Sequence, residues 1–85
     1  MPTISTFYGI KITMNYNEHN PPHFHAEYQN YEAILDIHTG AITGKLPRRA
    51  LNLIWNWLDE HQAELLENWE RARRRQALLQ IEPLP

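Results

Sequence analysis

The sequence predicts an α+β fold, a small antiparallel three- or four-stranded meander with two C-terminal helices packed on one face. Three observations carry this expectation. Apolar and polar residues alternate with period two in strands at about 8–43, apolar residues recur at helical spacing over about 47–75, and turn-forming residues punctuate the chain between these runs. With 85 residues, the chain reads as a single domain with a lean core in which each large apolar side chain counts.

The first strand is expected from Tyr8 to Tyr16, where Tyr8, Ile10, Ile12, Met14 and Tyr16 share one face and Gly9, Lys11, Thr13 and Asn15 the other. Asn17–Pro22 is a turn by composition, because its prolines remove backbone donors and push their predecessors out of the helical region. A second strand, His23–Tyr28, sends Phe24, Ala26 and Tyr28 to one face and His23, His25 and Glu27 to the other. A third follows Gln29-Asn30, with Tyr31, Ala33, Leu35 and Ile37 opposite Glu32, Ile34, Asp36 and His38. A two-residue loop at Gln29-Asn30 pairs Tyr28 with Tyr31, Ala26 with Ala33 and Phe24 with Leu35, which makes one face almost wholly apolar. The same register sets His23 across from Asp36 and His25 across from Ile34.

His38-Thr39-Gly40 reads as a reversal with Gly40 at positive φ, followed by a short strand Ala41–Thr43. Pro47 suits the first turn of a helix, and Ala50, Leu51, Ile54, Trp57 and Leu58 keep helical spacing to about Glu60. Leu65, Leu66, Trp69 and Ala72 continue the stripe, and Asp59, Glu60 and Gln62 interrupt it, which predicts a break near His61; one continuous helix is the alternative. The tail, 76–85, carries Leu78, Leu79, Ile81 and Leu84 with prolines at 83 and 85, and is expected to be extended and docked.

Composition narrows the function classes. Apolar residues make up 42%, and a formal net charge of −2 argues against a chain built throughout for nucleic acid. The charge is uneven, with Lys45, Arg48 and Arg49 in one cluster and Arg71, Arg73, Arg74 and Arg75 in another. Glu67 with Arg71 and Glu70 with Arg74 match the favourable i, i+4 order, so a solvated helix face accounts for most of them. The absence of cysteine excludes disulfides and thiolate zinc sites. No basic segment followed by an apolar one opens the chain, and no apolar run approaches the roughly 20 residues that cross a bilayer, so a soluble cytoplasmic protein is expected.

The functional signal is His19-Asn20-Pro21-Pro22-His23-Phe24-His25, which gathers three of the five histidines around a double proline. Residues two apart on a strand project the same way, so His23 and His25 converge, with Glu27 extending the row and His19 across the turn. Two histidines and a carboxylate are the ligand set of many zinc and non-haem iron sites, so His19, His23, His25 and Glu27 are the candidate ligands for a divalent metal, zinc or nickel. A metal-free alternative uses His23, His25 and Asp36 as catalytic groups, since a carboxylate beside an imidazole fixes its tautomer and prepares it for proton transfer. Phosphodiester cleavage by the 2′-hydroxyl of RNA needs such a base and acid plus a cation such as Lys11. The third reading is a polar sheet face that contacts a protein partner. His38 and His61 read as structural, Trp57 and Trp69 as core, and Trp55 as a cover for the sheet edge or a partner contact.

Met1-Pro2-Thr3-Ile4-Ser5, Phe7-Tyr8-Gly9-Ile10, the histidine motif, Gly44-Lys45-Leu46-Pro47 and Leu66-Glu67-Asn68-Trp69-Glu70 together resemble a bacterial family of short proteins, domain-of-unknown-function family 4160. Members of that family are often encoded beside a second small protein in pairs similar to toxin–antitoxin modules. The resemblance implies a small protein partner encoded by a neighbouring gene and an effector acting on or binding RNA; a homo-oligomer is also compatible. It carries over no catalytic residue beyond the motif itself.

Overall fold

The computed structural model describes residues 2–85 and has the expected α+β class. Five strands, β1 (Thr3–Phe7), β2 (Ile10–Thr13), β3 (His23–Tyr28), β4 (Tyr31–Asp36) and β5 (Ile42–Gly44), precede one helix, α1 (Arg48–Arg73). The sheet order is β1-β2-β3-β4-β5, every neighbour antiparallel.

The meander therefore has five strands, not three or four. The missed strand is β1, whose register shifts between Thr3 and Ser5, so that Ile4 and Ser5 are both buried and period two is lost. The expected first strand is also shorter. Tyr8 and Gly9, at φ 49° and 77°, turn β1 into β2, and positive φ at both central residues suits a tight hairpin. The β3–β4 register matches expectation at every pair, including His23 with Asp36 and His25 with Ile34. Gln29 takes a positive φ of 54° to close that hairpin.

Two helices with a break near His61 were expected; the structure has the break at that residue, as a kink that leaves α1 one element rather than two. One residue, His61, takes the change of direction with φ −123° and ψ 21°. A straight helix of 26 residues would span about 39 Å, more than the 33 Å length of the molecule. The bend keeps the second half on the sheet, and the Gln62 side chain marks it by donating to the Ile37 carbonyl at 2.9 Å. Ile54, Trp57, Leu58, Leu65 and Trp69 pack against Ile10, Ile12, Phe24, Ala26 and Leu35 as one core. The Trp57 ring centre lies 5.2 Å from that of Phe7 and 5.8 Å from that of Phe24.

The helix ends in a Schellman arrangement: Gln76 N–H donates to the Arg71 carbonyl, Arg75 N–H to that of Ala72, and Arg75 sits at φ 57°. The tail beyond it has no regular structure but is tied down. The Asn68 side chain bonds both the N–H and the C=O of Leu79, Trp57 donates to the Glu82 carbonyl, and Ile81 N–H donates to Ile4 C=O in β1. Trp55 covers the turn after β4, its indole N–H 2.8 Å from the Gly40 carbonyl. Gly40 has φ 77°, and a Cβ there would lie 3.2 Å from that nitrogen. Among the described residues no helix is long and apolar enough to cross a membrane.

Candidate metal centre

His23 and His25 occupy alternate positions of β3, which places their rings side by side with centres 5.5 Å apart. The segment between β2 and β3 supplies the third member. It folds back over the start of β3, with Asn17 at φ 61°, and carries Glu18 to the two imidazoles. Glu18 Oε1 is 2.8 Å from His25 Nε2, and Glu18 Oε2 is 3.5 Å from His23 Nε2. One ligand atom from each of the three lies within 4.8 Å of the others, and no other such group occurs among the described residues.

The surroundings fix these side chains. His23 Nδ1 lies 2.8 Å from the Pro21 carbonyl, which can only accept, so Nδ1 carries the proton and Nε2 faces Glu18. The Trp69 ring, delivered by the second half of α1, lies against His23 with centres 5.1 Å apart. Asn15 Nδ2 donates to Glu18 Oε1 at 2.9 Å. The hydrogen bonds from Asn15 and His25, with the charge of His23 and His25, hold the Glu18 carboxyl below its ordinary pKa in spite of partial burial. Side-chain exposure is 13% for His23, 21% for His25 and 26% for Glu18, so the group is shielded on most sides but open to solvent.

The sequence named His23 and His25 and missed Glu18. Glu27 and His19 are not in the converging group. Glu27 pairs instead with Lys11 on one side and Glu32 on the other, and His19 is exposed in the turn. Asp36 does stand across from His23, but no hydrogen bond or ion pair joins them among the described residues. Its Oδ1 accepts from His38 N–H at 2.8 Å and Thr39 N–H at 3.0 Å. These bonds, Thr39 first, hold its pKa below the ordinary value. The carboxylate serves the turn, and Glu18 takes the position beside the imidazoles.

The remaining histidines are placed elsewhere. His38 lies at that turn, and His61 packs against Trp57 with the rings tilted by 44° and bonds Glu64 at the bend of α1. Of the helix pairs, Glu67 holds Arg71 as expected, whereas Glu70 holds Arg73 rather than Arg74.

The family described as "Domain of unknown function (DUF4160)" matches residues 9–70, well over half of the chain. The chain belongs to the DUF4160 family. No curated protein and no solved structure matches it. The DUF4160 span contains Glu18, His23, His25 and Trp69, and it stops before the docked tail.

Proposed function

We propose that this DUF4160 protein is a metal-binding module that holds one divalent transition metal, zinc or nickel, on Glu18, His23 and His25. The single observation that carries the reading is the prepared state of His23, whose Nδ1 proton is held by a backbone carbonyl while Nε2 faces a carboxylate. Histidines that bind metal almost always have their other ring nitrogen held in this way. The spacing supports it too. One ligand atom from each of the three side chains lies within 4.8 Å of the others, and the two Glu18 oxygens stand 2.8 Å from His25 and 3.5 Å from His23.

The acidic lining favours a metal over RNA in the depressions beside the imidazoles, and the cation expected for RNA, Lys11, stands across from Glu27 instead. The two depressions beside the imidazoles are lined in part by Glu27, Glu32 and Asp36, and among the described lining residues there is no lysine or arginine. A polyanion gains little there. Metal analysis of untagged protein after incubation with zinc or nickel and dialysis tests the reading. One equivalent is expected in the wild type, with affinity at least about tenfold lower in Glu18→Gln and His25→Ala. A wild-type content below about a tenth of an equivalent would overturn it.

The His25–Glu18 hydrogen bond favours a second reading, metal-free acid–base chemistry on RNA with Glu18 in the role expected of Asp36. RNA cleavage that survives chelation and is lost in His25→Ala would select it. If the chain works in a toxin–antitoxin-like pair with a neighbour-encoded partner, expression without the partner is expected to slow growth. Relief by Glu18→Gln would tie that effect to this centre.

A further inference from the structure

The two edges of the sheet differ. On β1 the Ile4 carbonyl accepts from Ile81 N–H of the tail, and the Thr3 carbonyl from the Gln80 side chain. β5 has β4 on one side and, among the described residues, no hydrogen-bonded neighbour on the other. Thr43 and Gly44 are exposed there, and Ile42 is half-buried.

The bonds to β4 fix where the free groups of β5 point. Asp36 N–H donates to Ala41 C=O at 3.0 Å, and Lys45 N–H donates to Glu32 C=O at 3.4 Å. A planar trans peptide directs its C=O and N–H opposite ways, so Ile42 N–H and Gly44 C=O face outward. Thr43, paired with Ile34 between those two bonds, turns its own N–H and C=O to β4. Ile42 C=O and Gly44 N–H therefore face outward as well.

Two residues at this spacing, each with a free N–H and a free C=O, are self-complementary. About a two-fold axis at Thr43, Ile42 exchanges both bonds with the second copy's Gly44, and Gly44 with the second copy's Ile42. This antiparallel register uses every outward group of both residues, whereas a register centred on Ile42 or on Gly44 uses half of them. Thr43 then faces its own counterpart, a favourable cross-strand pair.

Charge complements the register. Lys45 lines a depression with Glu27 and Glu32, and Ala41 lines one with His23 and Asp36, so both lie on the histidine face of the sheet. The two-fold register sets Lys45 across from the second copy's Ala41, with the second copy's Asp36 on the next strand. Two strand spacings, about 10 Å between backbones, separate that lysine from the aspartate, and only an alanine methyl group stands between them. Lys45 has no ion-pair partner of its own among the described residues. Trp55, 37% exposed, borders the same edge at Gly40 and adds apolar surface on the helix side.

We propose that β5 pairs with β5 of a second copy of this chain about a two-fold axis at Thr43, joining two five-stranded sheets into one. The proposal is independent of the metal-centre reading. Pairing runs in the plane of the sheet, so it leaves Glu18, His23 and His25 of both copies uncovered.

Sedimentation equilibrium of the untagged full chain tests it, with a chelator present so that no metal bridges two copies. The wild type is expected to approach twice the chain mass as its concentration rises to about 1 mM; a single-chain mass throughout overturns the proposal. Thr43→Asp and Thr43→Lys each oppose like charges at the axis on an exposed side chain. Each is expected to weaken the dimer at least about fivefold, with unchanged far-ultraviolet circular dichroism. An equimolar mixture of the two opposes aspartate to lysine and is expected to recover the wild-type affinity. A dimer indifferent to both substitutions, or a mixture that fails to recover, overturns the pairing. Amide exchange of the wild type reads the register independently of any variant. Ile42 and Gly44 N–H should slow about tenfold between mostly monomeric and mostly dimeric solutions, and a dimer that leaves these two amides unprotected also overturns it.

Discussion

Asp36 and Glu18 show how two carboxylates near the same histidine acquire different work. Asp36 accepts two backbone N–H groups of the turn that follows it, and Asp36→Ala should cost about 1–2 kcal/mol in a denaturant melt. Its folded pKa lies below the ordinary 3.8, so the carboxylate binds fewer protons folded than unfolded. Its contribution is complete above about pH 5 and fades as the pH falls through the lower folded value. The wild type and Asp36→Ala should therefore converge in stability as the pH falls below 3.8 and through the lower folded value, and a gap that stayed constant would refute the assignment. The sequence placed Asp36 correctly by register, since period two fixes which residue stands opposite which. It could not say that the oxygens were already engaged by a turn. Glu18 was illegible for a related reason: composition marks Asn17–Pro22 as a turn but not the direction in which its side chains point.

At the scale of elements, legibility followed hydrophobic matching. The β3–β4 hairpin was readable because only one register sets Phe24, Ala26 and Tyr28 against Leu35, Ala33 and Tyr31. β1 was not, because its bulge places neighbouring residues inside together. The end of α1 was also hidden. A Schellman end usually carries glycine at its left-handed residue, and here Arg75 occupies it at φ 57°. Arg75→Gly should relieve that conformation and raise stability by about 0.5–1 kcal/mol. Thermal unfolding reads this directly, and a lower melting temperature would mean that the arginine side chain contributes more than its backbone costs. Gly44 is the opposite case: at φ 107°, a Cβ would come within 2.7 Å of the Glu32 carbonyl oxygen, so no larger residue fits without moving β4.

For the molecule as a whole, α1 is the link between the histidines and the tail. Trp69 meets His23, and its neighbour Asn68 bonds Leu79 through both backbone groups. Replacing Asn68 by Ala removes two buried hydrogen bonds and should cost about 2–3 kcal/mol, or roughly 10–20 °C in melting temperature for a domain of this size. Amide exchange at Ile81 should accelerate by more than that at Phe24 if the tail detaches before the core opens; equal acceleration would show a single cooperative unit. The bond from Ile81 N–H to the Ile4 carbonyl has a further consequence. β1 is a terminal strand of the sheet, and a bare terminal strand invites pairing with another chain. By lying along it, the tail acts as a guard against self-assembly. Its release would turn a loss of stability into a tendency to form intermolecular sheets.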